Sequence, residues 1–316
     1  MSFINRICDK VYVINLEKEK ERLQAFDTQM KKNKINYERF NAVLGANVIK
    51  DERLTDYCNT FCTDGMKGCA LSHRTIWDTI VKNGYRNVMI CEDDAMIPDN
   101  FDSKFQMVYY QIPKDYDMLY LGCLFGCKDD SPLNKLVTKI SGYEPEDVNA
   151  DVYKVKGTVG LHCYIISLEG AQKFVDKPIT FHIDAQVMYW IKIYNYTSYA
   201  VNPLLVDSSQ DNSSMSDTYP KLLNSLFKGI PINNLNKPST MDWFLNESFL
   251  KLGPFNINYL IVMLMFIVYF IPKYFQPIIY LWLLTEFIYS QDFKNTFRYV
   301  FLLSLPVLLH NYTIKN

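Results

Sequence analysis

The short apolar run Asn87-Val88-Met89-Ile90-Cys91 ends, with no linker, in three consecutive carboxylates, Glu92-Asp93-Asp94. The run reads as a buried strand, so a dense negative charge stands at the edge of a sheet. Such charge is costly unless something positive, most often a divalent metal, neutralises it. Hard oxygen ligands on a short turn suit Mg2+ or Mn2+ shared with a substrate's phosphates. Taken alone, the triplet also reads as a solvated acidic turn or a helix N-cap. Its surroundings have to decide.

Those surroundings alternate. Val11 to Leu16 reads as a buried strand, and Glu17 to Lys32 as an amphipathic helix with Leu23, Phe26 and Met30 at helical spacing. Tyr37 to Val43 reads as a second strand. Asp51 to Lys67 lacks a period and reads as a loop, whereas Gly68 to Val81 reads as a helix feeding the acidic strand. Met118 to Gly122 and His162 to Ile166 are further strands, separated by a polar insertion, Lys128 to Asp151, that suits a mobile loop or lid. Ser167 is placed to cap a helix from Leu168 to Val175, and Ile183 to Ile193 suits a packed helix. Asp207 to Asp217 is a Ser/Asp/Asn-rich loop. Strands alternating with helices predict an α/β layered domain over residues 1–245.

The formal net charge of −1 leaves no electrostatic footprint for nucleic acid. The eight cysteines form no CxxC pair; Cys58/Cys62 and Cys123/Cys127 match zinc spacing poorly and read as buried free thiols of a reducing compartment. Residues 1–10 have no apolar core, so no signal peptide is expected.

Residues 246–316 differ in kind. Leu252 to Pro272 carries no charge over 21 positions and as one helix would be about 30 Å long, the thickness of a hydrocarbon core. Two shorter apolar stretches follow, interrupted by Glu286 and Pro306. A membrane span, a re-entrant hairpin or interfacial helices all fit, as does a hydrophobic helical subdomain. Membrane association through residues 252–310, with the preceding domain on the cytoplasmic side, is the expectation.

Four segments, in order, resemble the family 25 glycosyltransferases. Val11-Tyr12-Val13-Ile14-Asn15-Leu16 with Arg22 is similar to that family's opening strand, Asn-Leu and downstream Arg. Lys67-Gly68-Cys69-Ala70-Leu71-Ser72-His73 with Trp77 resembles its Gly-Cys…Ser-His helix. Ile90-Cys91-Glu92-Asp93-Asp94-Ala95 matches its strand followed by Glu-Asp-Asp. Gly160 to Ala171, then Ile183-Asp184, resembles its Tyr-containing strand, Gly-Ala helix and Asp-containing helix start. The resemblance covers roughly residues 9–220 and not the tail. Cys91 departs from a common Leu, and Lys18 to Glu21 is unusually charged.

The resemblance implies a GT-A-like fold, with one nucleotide-sugar-binding domain built on a Rossmann-like mixed sheet flanked by helices. It also implies a UDP-sugar donor (UDP-galactose or UDP-glucose), Mn2+ or Mg2+, inversion at the anomeric carbon, and a glycan, glycolipid or protein hydroxyl as acceptor. Asp94 and Glu92 are then the metal ligands, and Asp93 binds ribose or orients the metal. Asn15 and Leu16 share the triplet's rim at the strand ends. Arg22 reaches nucleotide or phosphate, or is an ordinary surface charge beside Lys18. A helix N-terminus near Gly68 offers an anion site, with Ser72 and His73 touching nucleotide; His73 reads equally as a structural hydrogen-bonder. Asp184 is the expected catalytic base, or a helix cap. His182 is base, metal ligand or core. Asp207, Gln210 and Asp217 lie where such folds close over the donor. Two other classes compete: a catalytically inactive glycosyltransferase-like membrane scaffold, and a Mg2+-dependent phosphohydrolase using the same triplet.

Overall fold

Val11 and Val13 pack against Phe26 and Met30 of the Lys20–Lys32 helix, so the β-α-β unit forms as its periodicity predicts, preceded by a short helix, Ile4–Ile7, that no pattern announced. The computed structural model describes residues 1–209 and 219–315. In chain order the first ten strands are β1 (Lys10–Asn15), β2 (Glu38–Asn41), β3 (Asn87–Glu92), β4 (Ala95–Met96), β5 (Met118–Tyr120), β6 (Glu146–Asp147), β7 (Val152–Lys154), β8 (Cys163–Ser167), β9 (Ser198–Val201) and β10 (Asp207–Ser208). Eight of them form one mixed sheet, ordered β2-β1-β3-β8-β5-β9-β7-β6. β1 runs parallel to β2 and β3, while β8 runs antiparallel between β3 and β5. β4 and β10 pair separately.

Side chains alternate across the sheet. Met89, Cys91, Cys163 and Ile165 join Phe26, Phe101 and Phe105 in a core on one face. On the other face Tyr164 meets Trp77 of the Asp64–Asn83 helix, and Trp77 packs at a tilt against Phe174 of the Leu168–Val175 helix. Ser167 caps that helix as expected, its Oγ accepting from Gly170 N.

Several expectations need correction. Asp51 to Lys67 is not a loop: Thr55 caps a helix at Asp56–Phe61, and Thr63 caps the next one, which begins at Asp64 rather than at Gly68. Each threonine is followed by an acid, a start signal that outweighs the missing apolar period. The polar insertion likewise holds a helix, Pro132–Ser141, capped by Ser131 and ended by the left-handed Gly142. Four cysteines are paired, Cys58–Cys62 and Cys123–Cys127, while Cys8, Cys69, Cys91 and Cys163 are free. The argument for a reducing compartment falls with those pairs.

The chain divides into two compact units, Met1–Asp211 with Ile232–Ser239 and Asn212–Pro231 with Thr240–Asn316. In the second, Leu252 to Pro272 is not one helix. β11 (Ser248–Leu252) and β12 (Phe255–Asn258) form a hairpin turning at left-handed Gly253. Asn258 then caps a helix of only 12 residues, Tyr259–Phe270, about 18 Å long. Two further helices follow, Pro277–Ser290 and Phe293–Lys315. Among the described residues no helix is long and apolar enough to cross a membrane, which removes the single helical span from the alternatives. Tyr219, Ile261, Leu283 and Tyr299 share this unit's core. Glu286, fully buried, accepts from the backbone N–H groups of Leu222 and Leu223 and caps the Lys221–Phe227 helix, whose own N-cap, Pro220, offers no side-chain bond.

Candidate active site

The triplet leaves β3 pinned on both sides. Glu92 N donates to His162 O at 2.8 Å, and Asp93 N donates to Ile14 O at 3.1 Å. Asn15, the last residue of β1, donates from Nδ2 to Asp93 Oδ2 at 2.7 Å, while its Oδ1 accepts from Arg39 Nε at 2.8 Å. Arg22 is no ordinary surface charge: a guanidinium nitrogen lies 2.6 Å from Asp93 Oδ1 and 3.8 Å from Asp94 Oδ2. Leu16 is half-buried, and its carbonyl closes the following turn by accepting from Glu19 N.

Asp94 is latched to the small sheet. Its Oδ2 accepts from Ser208 Oγ at 2.8 Å, and its carbonyl accepts from Ser209 N at 2.9 Å. Its Oδ1 is buried with no hydrogen-bond partner among the described residues. Burial, then the neighbouring Glu92 charge, pushes the Asp94 carboxyl above its ordinary range. Asp207 stands in the same small sheet, while Gln210 and Asp217 lie outside the described residues.

His73 is fully buried, with Nδ1 2.9 Å from Tyr164 Oη and Nε2 3.2 Å from Glu92 Oε1. Trp77 Nε1 donates to the same phenol oxygen at 2.9 Å. Tyr164 is therefore free to donate its own proton to Nδ1, leaving the Nε2–H to donate to Glu92. Burial opposes ionisation of Glu92, but the bond from His73, with the His162 and His182 rings nearby, outweighs it, so its carboxyl sits below the ordinary range. Three of the chain's four histidines thus act on one carboxylate. Sequence reading gave His162 and Tyr164 no role in the site. Their signal is the register, because β8 runs antiparallel to β3 and sets His162 opposite Glu92.

Ser72 and Gly68 serve the scaffold. Ser72 Oγ donates to Gly68 O at 2.7 Å and accepts from Val43 N at 2.8 Å. A Cβ on Gly68 would meet Val43 O at 2.6 Å, so only glycine admits this approach. Asp184 lies in the first turn of the Ile183–Tyr194 helix, capped by His182 Nδ1, and its Oδ2 accepts from Leu161 N at 3.3 Å. Burial, then the charges of Glu92, Asp184 and Asp94, raises the Cys69 thiol. Leu161, which Asp184 holds, directly precedes His162, whose carbonyl accepts from Glu92 N, so Asp184 is tied to the segment that pairs with the triplet. Cys69 Sγ, His73 Nε2 and a Glu92 oxygen also lie within 4.8 Å of one another.

A cavity of about 710 Å3 opens next to the latch, since the paired residues Met96 and Asp207 both line it, with Gln111, Asp151, Asn202 and Leu205.

Asp93 carries a testable consequence. Its side chain is only 8% exposed. Burial raises its carboxyl to about 6, aided by Asp94 and Glu92 and opposed by Arg22 and Asn15. A carboxyl raised on folding contributes most below its unfolded value and loses that contribution as pH rises through 6. Asp93→Asn is expected to stabilise the metal-free protein near neutral pH by roughly 1–3 kcal/mol. That gain should shrink as pH falls through 6. Urea unfolding across this range checks it, and a gain independent of pH would contradict the assignment.

Residues 8–187 match the model of "Glycosyltransferase family 25 (LPS biosynthesis protein)". The chain is 25% identical over 245 residues to "Procollagen lysyl hydroxylase and glycosyltransferase" of Acanthamoeba polyphaga mimivirus, covering 66% of this chain and 26% of that protein. It is 25% identical over 187 residues to "Procollagen galactosyltransferase 2" of Homo sapiens, covering 53% and 27%. It is 27% identical over 128 residues to "Probable inactive glycosyltransferase 25 family member 3" of Bos taurus, covering 36% and 22%. The chain spans about a quarter of the length of each of these relatives.

Proposed function

Because the chain belongs to glycosyltransferase family 25, we propose that it transfers a hexose, galactose or glucose, from a UDP-sugar to a hydroxyl acceptor with inversion, in a GT-A-like fold. The observation that carries this reading is the acidic triplet at the end of β3, with Asp93 held by Asn15 and Arg22 and the buried Asp94 Oδ1 without a partner among the described residues. A relative named as a galactosyltransferase favours galactose.

Glu92 and Asp94 would hold Mn2+ or Mg2+. The orphaned, buried Asp94 Oδ1 fits such a role, as does an all-oxygen carboxylate pair. When bound, the ion supplies positive charge against the leaving diphosphate. Asn15 and Arg22 hold Asp93 in place for the ribose, and Arg22 stands ready to exchange a carboxylate for a phosphate oxygen. Asp184, held in the first turn of its helix, takes the proton from the acceptor hydroxyl. We assign the acceptor, whether glycan, glycolipid or protein, to the cavity beside Met96 and Asp207. Its carboxamide and carboxylate groups over an apolar wall suit a sugar's hydroxyls and ring faces.

The second unit, in this reading, rests on a lipid surface without spanning it. Tyr259–Phe270 has no charged residue, and the only one in Pro277–Ser290, Glu286, is buried. Their outer faces are therefore uncharged and rich in exposed Phe, Ile and Leu. Co-sedimentation with liposomes tests this placement.

A screen of UDP-sugars for donor hydrolysis, with and without Mn2+, tests the activity. Metal-dependent turnover of one UDP-hexose is the expected result. Neither binding nor turnover would favour the inactive scaffold, consistent with the bovine relative's name. Release of phosphate from simple esters without sugar transfer would favour the phosphohydrolase.

A further inference from the structure

The two strands that meet at the triplet also carry an opposed pair of thiols. Cys91 and Cys163 are direct partners in the antiparallel pairing of β3 with β8. Cys163 turns its backbone the other way, since its carbonyl accepts from Leu121 N, just past β5, at 3.1 Å. On the β3 side the bond runs one step further along, from Glu92 N to His162 O at 2.8 Å. Cys91 and Cys163 are therefore a non-hydrogen-bonded pair, in which opposed Cα atoms approach to about 4.5 Å and side chains come closest. That spacing falls within the roughly 4.4–6.8 Å that a disulfide bridges.

The side chains use this closeness. The two Sγ atoms lie 2.7 Å apart, inside the ordinary contact distance of unbonded heavy atoms. Both residues are 0% exposed, in the core they share with Met89, Leu121 and Ile165. Burial, then the Cys91 thiol, pushes the Cys163 thiol up, so the pair reacts when the strands part locally rather than from the closed fold.

We propose that Cys91 and Cys163 are an oxidisable pair that closes to a cross-strand disulfide, stapling β3 to β8 one residue before Glu92. The oxidant is a small-molecule disulfide of the glutathione class. One thiolate attacks it, forming a mixed disulfide and releasing one small thiol; the second thiolate attacks the mixed disulfide and releases the other. The cysteines lose two electrons and two protons, and the reagent gains both as two thiols. Surroundings that maintain Cys58–Cys62 and Cys123–Cys127 hold oxidants of this kind. The closed bond joins residues 72 apart in the chain and so restricts the unfolded state. It also fixes the register of the strands that bring Glu92 and His162 to the rim, because a slip of one residue would part the sulfurs.

Peptide mapping tests it. The full-length chain is held with oxidised glutathione until its thiol count is constant, unfolded in acid, alkylated and digested without reduction. The expected map shows one fragment linking Cys91 to Cys163, with only Cys8 and Cys69 alkylated. On this treatment wild type should gain at least about 5 °C more in melting temperature than Cys163→Ala does. Cys91 and Cys163 still alkylated in treated wild type would overturn the proposal. So would a mixed disulfide that goes no further, or linkage of either residue to Cys8, a buried thiol of the same core. A linked pair with equal gains in wild type and variant would overturn the stapling role. If Cys163→Ala does not fold, the wild-type map alone decides.

Discussion

Replacing Asp94 with alanine is expected to cut metal-dependent UDP-sugar turnover by at least about a thousandfold, since one preorganised charge-stabilising group is commonly worth a factor of 10²–10³ and a metal ligand more. The fold should survive. The bond from Ser209 N to the residue 94 carbonyl is made by backbone and persists in the variant, so β4 and β10 stay latched. Stability should move the other way from activity. Burial and Glu92 raise the wild-type carboxyl, so its ionised form opposes folding near neutral pH, and removing it should leave the melting temperature of metal-free protein equal or higher. Donor hydrolysis and thermal unfolding measured on one preparation separate the two effects. Full turnover in Asp94→Ala would reject the metal assignment, and loss of activity together with collapse of the melt would make Asp94 structural.

Phe266→Asp combined with Phe270→Asp should weaken binding to anionic liposomes by more than a hundredfold. The two rings sit on one face of their helix, 68% and 62% exposed, with centroids 4.9 Å apart. Each buried aromatic is worth about 1.5–3 kcal/mol on leaving water, and a carboxylate pushed toward lipid adds a further penalty. Because both rings are already exposed, folding should be little changed. Exposed Lys273 and Lys294 near the helix ends complement anionic headgroups. Co-sedimentation reads the loss directly. If wild type stays in the supernatant, or the double variant pellets equally, the lipid surface is the wrong partner for this unit.

Much of the sheet was legible because its strands are short, apolar and bounded by caps. β1, β3 and β8 fall within a residue or two of their apolar runs, and Ser167 announces the helix it caps. The Asp56–Phe61 helix was not legible from hydrophobic spacing, since polar residues dominate it and its apolar members are cysteine and aromatics, whereas in Pro132–Ser141 the stripe Leu133, Leu136, Val137 and Ile140 does stand at helical spacing and was masked by the polar residues around it. In the first, the Thr55 cap and not the period carries the information. In the tail, composition hid two interruptions: Gly253 turns the chain and Asn258 restarts it. Within the site, Asn15, Arg22 and the triplet were readable because they are near neighbours of strand ends. His162 and the approach of Asp184 to the triplet depend on strand pairing and helix placement, which no local pattern encodes.

The reversal of β8 has a consequence for how such a site can be retuned. In a parallel neighbour, the residues reaching this rim would follow a strand and be fixed by its exit. Here His162 precedes Cys163, so its place is set by the approach from Gly157 to Leu161, while the pairing of β3 with β8 holds the acidic triplet independently. Insertions or deletions before residue 162 therefore change what this approach presents at the rim without disturbing the carboxylates. That segment is a natural target for directed diversification of selectivity, with β3 as the fixed reference.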